Sequence, residues 1–240
     1  MTASSDSAAG AESLTRISGA VVQRHARPKV AVDTVLFATD QGQVKCYVVC
    51  LRRGPAAGKW ALPGGLVHEG EMLDEAARRE LHQSSGLNNC YIEQLFSFGD
   101  PHRDPKAHVV SVAYMALIDR ASAVHSCSQK YANGRWLEMS GLSDLAYDHA
   151  EIAGYALRRL KSKLEYTNIA CNLLPSTFTF AQLEELYGIV LGRMLDRRNF
   201  RRRIMAMNLL TRMPLERRGN HRPAALYAFR HRSLQVIEML

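Results

Sequence analysis

No stretch of this chain comes near the ~20 consecutive apolar residues that a membrane-spanning helix needs, although hydrophobic residues make up 47 % of its 240 positions. Cysteine is scarce and poorly spaced for its structural uses. The five, Cys46, Cys50, Cys90, Cys127 and Cys171, form no CxxC pair, have no Cys/His spacing suited to a metal and are odd in number, which argues against a disulfide framework. Free thiols in a reducing compartment are the expectation, with Cys46 and Cys50 on the core face of one strand. The opening MTASSDSAAGAES has neither the basic start nor the apolar core of a signal peptide. The chain therefore reads as soluble and cytoplasmic, without a membrane partner.

Lysine is missing from the last third, and so is most of the acid. Residues 1–167 carry 19 Lys and Arg against 18 Asp and Glu, a balance of +1, whereas residues 168–240 carry 12 Arg against 5 acids, or +7, completing the +8 of the whole chain. Arginine offers a planar fork of donors that fits phosphates and guanine edges, so the last third points to a polyanion. The competing explanation is a solvated basic face.

Residues 1–28 are rich in Ser and Ala and lack periodicity, and read as a disordered tail. From Lys29 the sequence alternates as strands do: KVAVDTVLFATD and KCYVVCLRR flank Asp40-Gln41-Gly42 as a hairpin. A loop over Gly54–Gly58 follows, then WALPGG and a helical run, MLDEAARRELHQSS, with Leu73, Ala76, Ala77 and Leu81 as its apolar stripe. YIEQLFSFG, HVVSVAYMALID and a shorter WLEM read as strands, and a helix is predicted over about 148–165. GPAAGKW is no phosphate loop, since its glycines are one residue too close and Trp60 stands where Ser or Thr would hold magnesium. The expected class is α+β, a mixed sheet between helices over 29–166 followed by a second domain over 167–240.

Residues 65–87, GLVHEGEMLDEAARRELHQSSGL, resemble the Nudix box. Gly65, Glu71, Arg79, Glu80, Leu81, Gly86 and Leu87 occupy seven of its nine defining positions at the correct spacing, while Gln83 and Ser84 stand at the other two. The resemblance implies that Glu80 and glutamates at the positions of Gln83 and Ser84 would together hold divalent metal against a pyrophosphate in a hydrolase. A neutral amide and a hydroxyl are poor replacements, so no catalytic or metal residues are assigned. The alternative is a Nudix pyrophosphohydrolase acting on ADP-ribose or a similar nucleotide. It would require Glu69, Glu71 or Glu75 to serve as replacement carboxylate.

In the last third, Thr179 and Gln182 form a capping box worth about 1 kcal/mol, with Phe178 and Leu183 placed as a staple and Gly192 as the C-terminal cap. Asp196 can cap a second helix, RRNFRRRIMAMNLL, whose Phe200, Ile204 and Met207 face inward and whose arginines remain outside. Two strands around Arg217-Arg218-Gly219-Asn220 complete a winged helix-turn-helix. A dimerisation arm with a solvated Arg-rich helix is the competing explanation.

The degenerate box, SFGDPHRDPKAHVVSVAY and LPSTFTFAQLEELYGIVLGRMLDRRNFRRRI together make the chain similar, over about 29–240, to the Nudix-related transcriptional regulators of NAD metabolism, the NrtR family. The resemblance implies a homodimer that represses NAD biosynthesis or salvage genes and responds to ADP-ribose or a related NAD-derived nucleotide, with no cofactor required. Carried onto this sequence, it makes Arg197, Arg198, Asn199, Arg201 and Arg202 the operator contacts on double-stranded DNA, with Arg217 and Arg218 on the wing. Arg52, Arg53, Gly64, Gly65, Arg79, Glu80 and Arg103 are the expected effector contacts.

Overall fold

A computed structural model describes residues 16–17, 20–21, 27–119, 130–217 and 223–237. Of the tail expected over 1–28, only the paired strands β1 (Arg16–Ile17) and β2 (Ala20–Val21) and residues 27–28 fall within that set. Cys127, Arg218, Gly219 and Asn220 lie outside the described residues.

The first hairpin joins β3 (Lys29–Asp40) to β4 (Gln43–Leu51). Asp40 pairs with Gln43, leaving Gln41 and Gly42 as a two-residue loop with φ of 48° and 75°, the positive values that a type I′ turn demands. Next come β5 (Trp60–Ala61), β6 (Gly64–Leu66), α1 (Leu73–Ser85), β7 (Tyr91–Phe98), β8 (Val109–Leu117), β9 (Tyr131–Glu138) and α2 (His149–Tyr166). The sheet runs β5-β4-β3-β8-β7, with β6 added to β3 and β9 to β4. Only the β3–β8 pair is parallel among the described strands. The sheet is therefore mixed, as expected.

Alternation along β3 assigns its two faces. Val32, Leu36 and Ala38 lie in the clusters that hold Ala76, Ala77 and Leu81 of α1, while Val35 and Phe37 pack with Ile152, Ala153, Ala156 and Leu160 of α2. The expected strand WLEM is longer than its sequence suggests. β9 begins at Tyr131 and pairs with β4 from Leu51 to Lys45. Its Asn133-Gly134 resembles a turn signal, but Gly134 faces the Tyr47 ring across the ladder, and a Cβ there would collide with the Tyr47 hydroxyl.

The last third forms β10 (Phe178–Thr179), α3 (Phe180–Leu191), α4 (Arg197–Ala206), β11 (Leu210–Arg217) and β12 (Ala224–Phe229). The capping box is present: Gln182 N–H donates to Thr179 Oγ1 at 3.3 Å, and Thr179 N–H donates to Gln182 Oε1 at 2.9 Å. Gly192 closes α3 at φ 68°, and Asp196 caps α4 by accepting from Asn199 N–H at 3.0 Å. The second helix is shorter than expected. It stops at Ala206, and Asn208, at φ 53°, turns the chain into β11; asparagine tolerates this left-handed conformation better than most residues. The three strands follow the order β10-β12-β11, with a register shift between Arg212 and Glu216 around Pro214.

One apolar cluster joins the two parts. It runs from Val35, Phe37 and Cys46 through α2 and Ile169, Leu173 and Leu174 to Phe178, Leu183, Tyr187, Phe200, Ile204 and Tyr227. The chain beyond β12 returns to this seam. Asn168 Nδ2 donates to the carbonyls of His231 and Ser233, Gln235 N–H donates to Asn168 Oδ1, and Arg232 donates to the carbonyls of Cys171 and Leu174.

Candidate functional site: a nucleotide cavity and a basic helix

β3, β6, α1 and the 103–109 segment enclose a cavity of about 620 Å³. Arg53, Gly64, Gly65, Arg79, Glu80 and Arg103, six of the seven effector residues expected from sequence, line it; Arg52 does not, and its Nε donates to the Tyr131 carbonyl at 2.6 Å. Lys29, His68, Lys106, Lys130, Tyr147 and His149 also line the cavity and were not singled out from sequence. Lys29 and Lys106 sit in strand and loop contexts that resemble any solvated lysine. Lys130 approaches the box only through the β4–β9 ladder.

Arg79 clamps the loop preceding α1. Its Nε and Nη2 donate to the two oxygens of Glu71 at 2.6 and 2.9 Å, Nη2 also donates to the Leu66 carbonyl at 3.1 Å, and Nη1 donates to Glu80 Oε1 at 2.7 Å. Hydrogen bonds from Arg79, aided by His68 N–H, lower the Glu71 carboxyl to about 2. Glu80, only 3 % exposed, accepts from Lys130 Nζ at 2.6 Å through its second oxygen. Gly65 is needed beneath this group, because a Cβ would strike Glu80 Oε1 and Lys130 Nζ.

Arg103 is committed in a different way. Although it lines the cavity, its side chain is 4 % exposed, gripping Asp148 with two bonds of 2.8 and 2.6 Å and Asp33 with one of 3.1 Å. Asp33 also accepts from Ser111 Oγ at 2.6 Å and faces His149 Nε2 at 3.4 Å. Burial opposes ionisation of Asp33, but His149, Arg103 and Ser111 outweigh it and hold the carboxyl well below the usual range. Leu62 N–H donates to His149 Nδ1 at 2.9 Å, which leaves the proton on Nε2, toward Asp33. Asp148 and His149 open α2, so this network ties one wall of the cavity to the helix that leads into the last third.

The residues at the box do not fit a divalent metal. Gln83 lines the cavity with a neutral amide. Ser84 is buried and its hydroxyl donates to the Leu81 carbonyl at 2.8 Å, within its own helix. Glu71 is occupied by Arg79, Glu75 accepts from Met72 N–H at 3.1 Å, and Glu69 is exposed. Among the described residues, no group of three or more His, Cys, Asp or Glu side chains could hold a metal. Magnesium is held by anionic oxygens that offset its dehydration, and here the one carboxylate at the position is shared by two cations.

On the other half of the chain, Arg197, Arg198, Asn199, Arg201, Arg202 and Arg217 are all exposed. Arg198 and Arg202, four residues apart, share one face of α4. Asn199 donates to the capping Asp196 at 2.6 Å. Arg201 folds back onto its own domain, donating to Tyr227 Oη at 3.2 Å with its guanidinium 4.5 Å from the Phe180 ring centre. Arg203 of α4 is exposed as well, and Met194, in the turn before the helix, is fully exposed.

The family model of the NrtR DNA-binding winged helix domain matches residues 170–229, and that of the NUDIX domain matches residues 27–160. The chain is 34 % identical to the "ADPR responsive transcriptional repressor NtrR" of Acinetobacter baylyi over 84 % of this chain and 82 % of that protein. Its fold superposes with a TM-score of 0.75 and 30 % identity on Shewanella oneidensis NrtR complexed with a 27mer DNA, covering 84 % of this chain and 93 % of that one. The NUDIX domain of the same Shewanella protein, complexed with ADP ribose, matches at 29 % identity and a TM-score of 0.53 over 57 % of this chain and 90 % of that one. With a Nudix sheet and a winged helix sharing one core and matched by relatives along most of its length, the chain belongs to the NrtR family.

Proposed function

We propose that this protein is a DNA-binding repressor of NAD biosynthesis or salvage genes. Residues 29–166 sense ADP-ribose or a related NAD-derived nucleotide, and residues 167–240 bind operator DNA. The observation that carries this proposal is the pairing, around a common core, of a cation-lined Nudix cavity lacking a metal-holding carboxylate cluster with an exposed arginine helix. Hydrolysis is disfavoured on the same ground, since Gln83 and the self-bonded Ser84 leave Glu80 alone. The protein acts as a homodimer in the cytoplasm, because two recognition helices related by a two-fold axis suit a palindromic operator. Family relatives supply the ligand classes: one is titled ADPR responsive, and another was crystallised with DNA and, as its NUDIX domain, with ADP ribose.

Nucleotide entering the cavity competes for Arg103 and its partners at the start of α2, and DNA affinity falls. By linkage, operator must weaken nucleotide binding by the same factor. Gel shift on DNA from NAD-gene promoters, at fixed salt and with and without ADP-ribose, tests this proposal. The expected result is specific binding that ADP-ribose abolishes. No specific binding together with magnesium-dependent hydrolysis of ADP-ribose would make the protein an enzyme instead.

A further inference from the structure

The oxygens facing the box form a seat for a cation, and the chain fills that seat with one of its own. Lys130 Nζ donates to the Gly64 carbonyl and to Glu80 Oε2, each at 2.6 Å. Tyr131 Oη stands 3.1 Å from the same carbonyl and 3.3 Å from the same carboxylate oxygen. A backbone carbonyl and a carboxylate oxygen converging on one point are the kind of ligand a hard cation takes. Here both oxygens are taken by an ammonium, covalently tethered through β9, and by the Tyr131 hydroxyl that donates to them. The charges close as well: Glu71 and Glu80 contribute two negative charges, Arg79 and Lys130 two positive, so no surplus negative charge remains to attract a dication.

We infer that Lys130 is a resident cation that takes the place of divalent metal in this Nudix cavity, and that it supplies counter-charge to the diphosphate of a bound nucleotide without magnesium. The ammonium is well placed for this role. Its side chain is 38 % exposed and lines the cavity beside Arg53 and Arg79. Its bonds to Gly64 and Glu80 set its position before any ligand arrives, so little ordering is left to be done on binding. A charge-assisted contact to phosphate oxygen from a group so held is the stronger kind of hydrogen bond. The inference rests on the nucleotide-sensing proposal above.

The test is isothermal titration of the full-length protein with ADP-ribose, once in EDTA and once in millimolar magnesium, alongside manganese titration followed by electron paramagnetic resonance. Wild type should bind ADP-ribose equally in both buffers and show no stoichiometric manganese site. Lys130→Met should weaken ADP-ribose binding by about tenfold or more, the loss expected for a charge-assisted contact, while Lys130→Arg retains most of it. Thermal melts of both variants distinguish lost binding from lost folding; if Lys130→Met does not fold, the two wild-type measurements decide alone. ADP-ribose binding that requires magnesium, a manganese ion bound beside Glu80, or full affinity in a folded Lys130→Met protein would overturn the inference and leave the sensor proposal standing. Absence of ADP-ribose binding by wild type in either buffer would overturn both.

Discussion

Arg201 and Arg202 are adjacent in sequence and alike in chemistry, yet they serve different partners. Both are exposed, but Arg201 lies over Phe180 and donates to Tyr227. Arg202→Ala should therefore cost about 1–3 kcal/mol of operator affinity at fixed salt and leave the thermal midpoint unchanged. Arg201→Ala should also lower stability, by about 0.5–1 kcal/mol, through loss of the cation–π contact. Fluorescence anisotropy with operator DNA and thermal denaturation of each variant read the two effects separately. Unchanged affinity in Arg202→Ala would remove that face of α4 from the DNA. The sequence placed Arg197, Arg198, Arg201 and Arg202 on the outside of this helix but could not distinguish them, because the partners of Arg201 lie 21 and 26 residues away on other elements. Arg103 has the same history. It was legible as a cavity arginine, but its commitment to Asp33 and Asp148, 70 and 45 residues distant, depends on the sheet register.

Short-range signals translated well into elements. The I′ turn at Gln41-Gly42, the box helix and both caps of the helix-turn-helix depend on residues within a few positions of one another. Thr179→Ala removes the hydroxyl that accepts from Gln182 N–H at the first turn of α3 and should cost about 1 kcal/mol of stability. Urea denaturation followed by circular dichroism would measure it, and an unchanged midpoint would mean that tertiary packing alone holds the turn. Where elements differed from expectation, the cause was a residue adopting an uncommon role. Asn208 does a glycine's work at φ 53° and ends α4 early. Gly134 sits inside β9 to admit the Tyr47 ring rather than to make a turn, so the strand extends through a dipeptide that elsewhere would break it.

Across the whole molecule, the cavity and the arginine helix draw on one apolar cluster, and α2 spans it. Its 18 residues, at 1.5 Å rise each, make a rod of about 27 Å that starts at the Asp33–Arg103–Asp148 network and ends at the seam where Thr167 pairs with Val236. Because so little separates the halves, calorimetry of the full chain should show one cooperative unfolding transition; two resolved transitions would mean that the halves fold independently. The wing carries a further consequence at this scale. β11 is the outer strand of its sheet, and an outer strand with free backbone donors recruits strands from other chains. Pro214 has no N–H to offer, the ladder breaks around it, and Arg212 and Arg217 place charge along the same border. Copies brought close together along one duplex therefore present an edge that resists zipping into a shared sheet, a protection against aggregation where local concentration is highest.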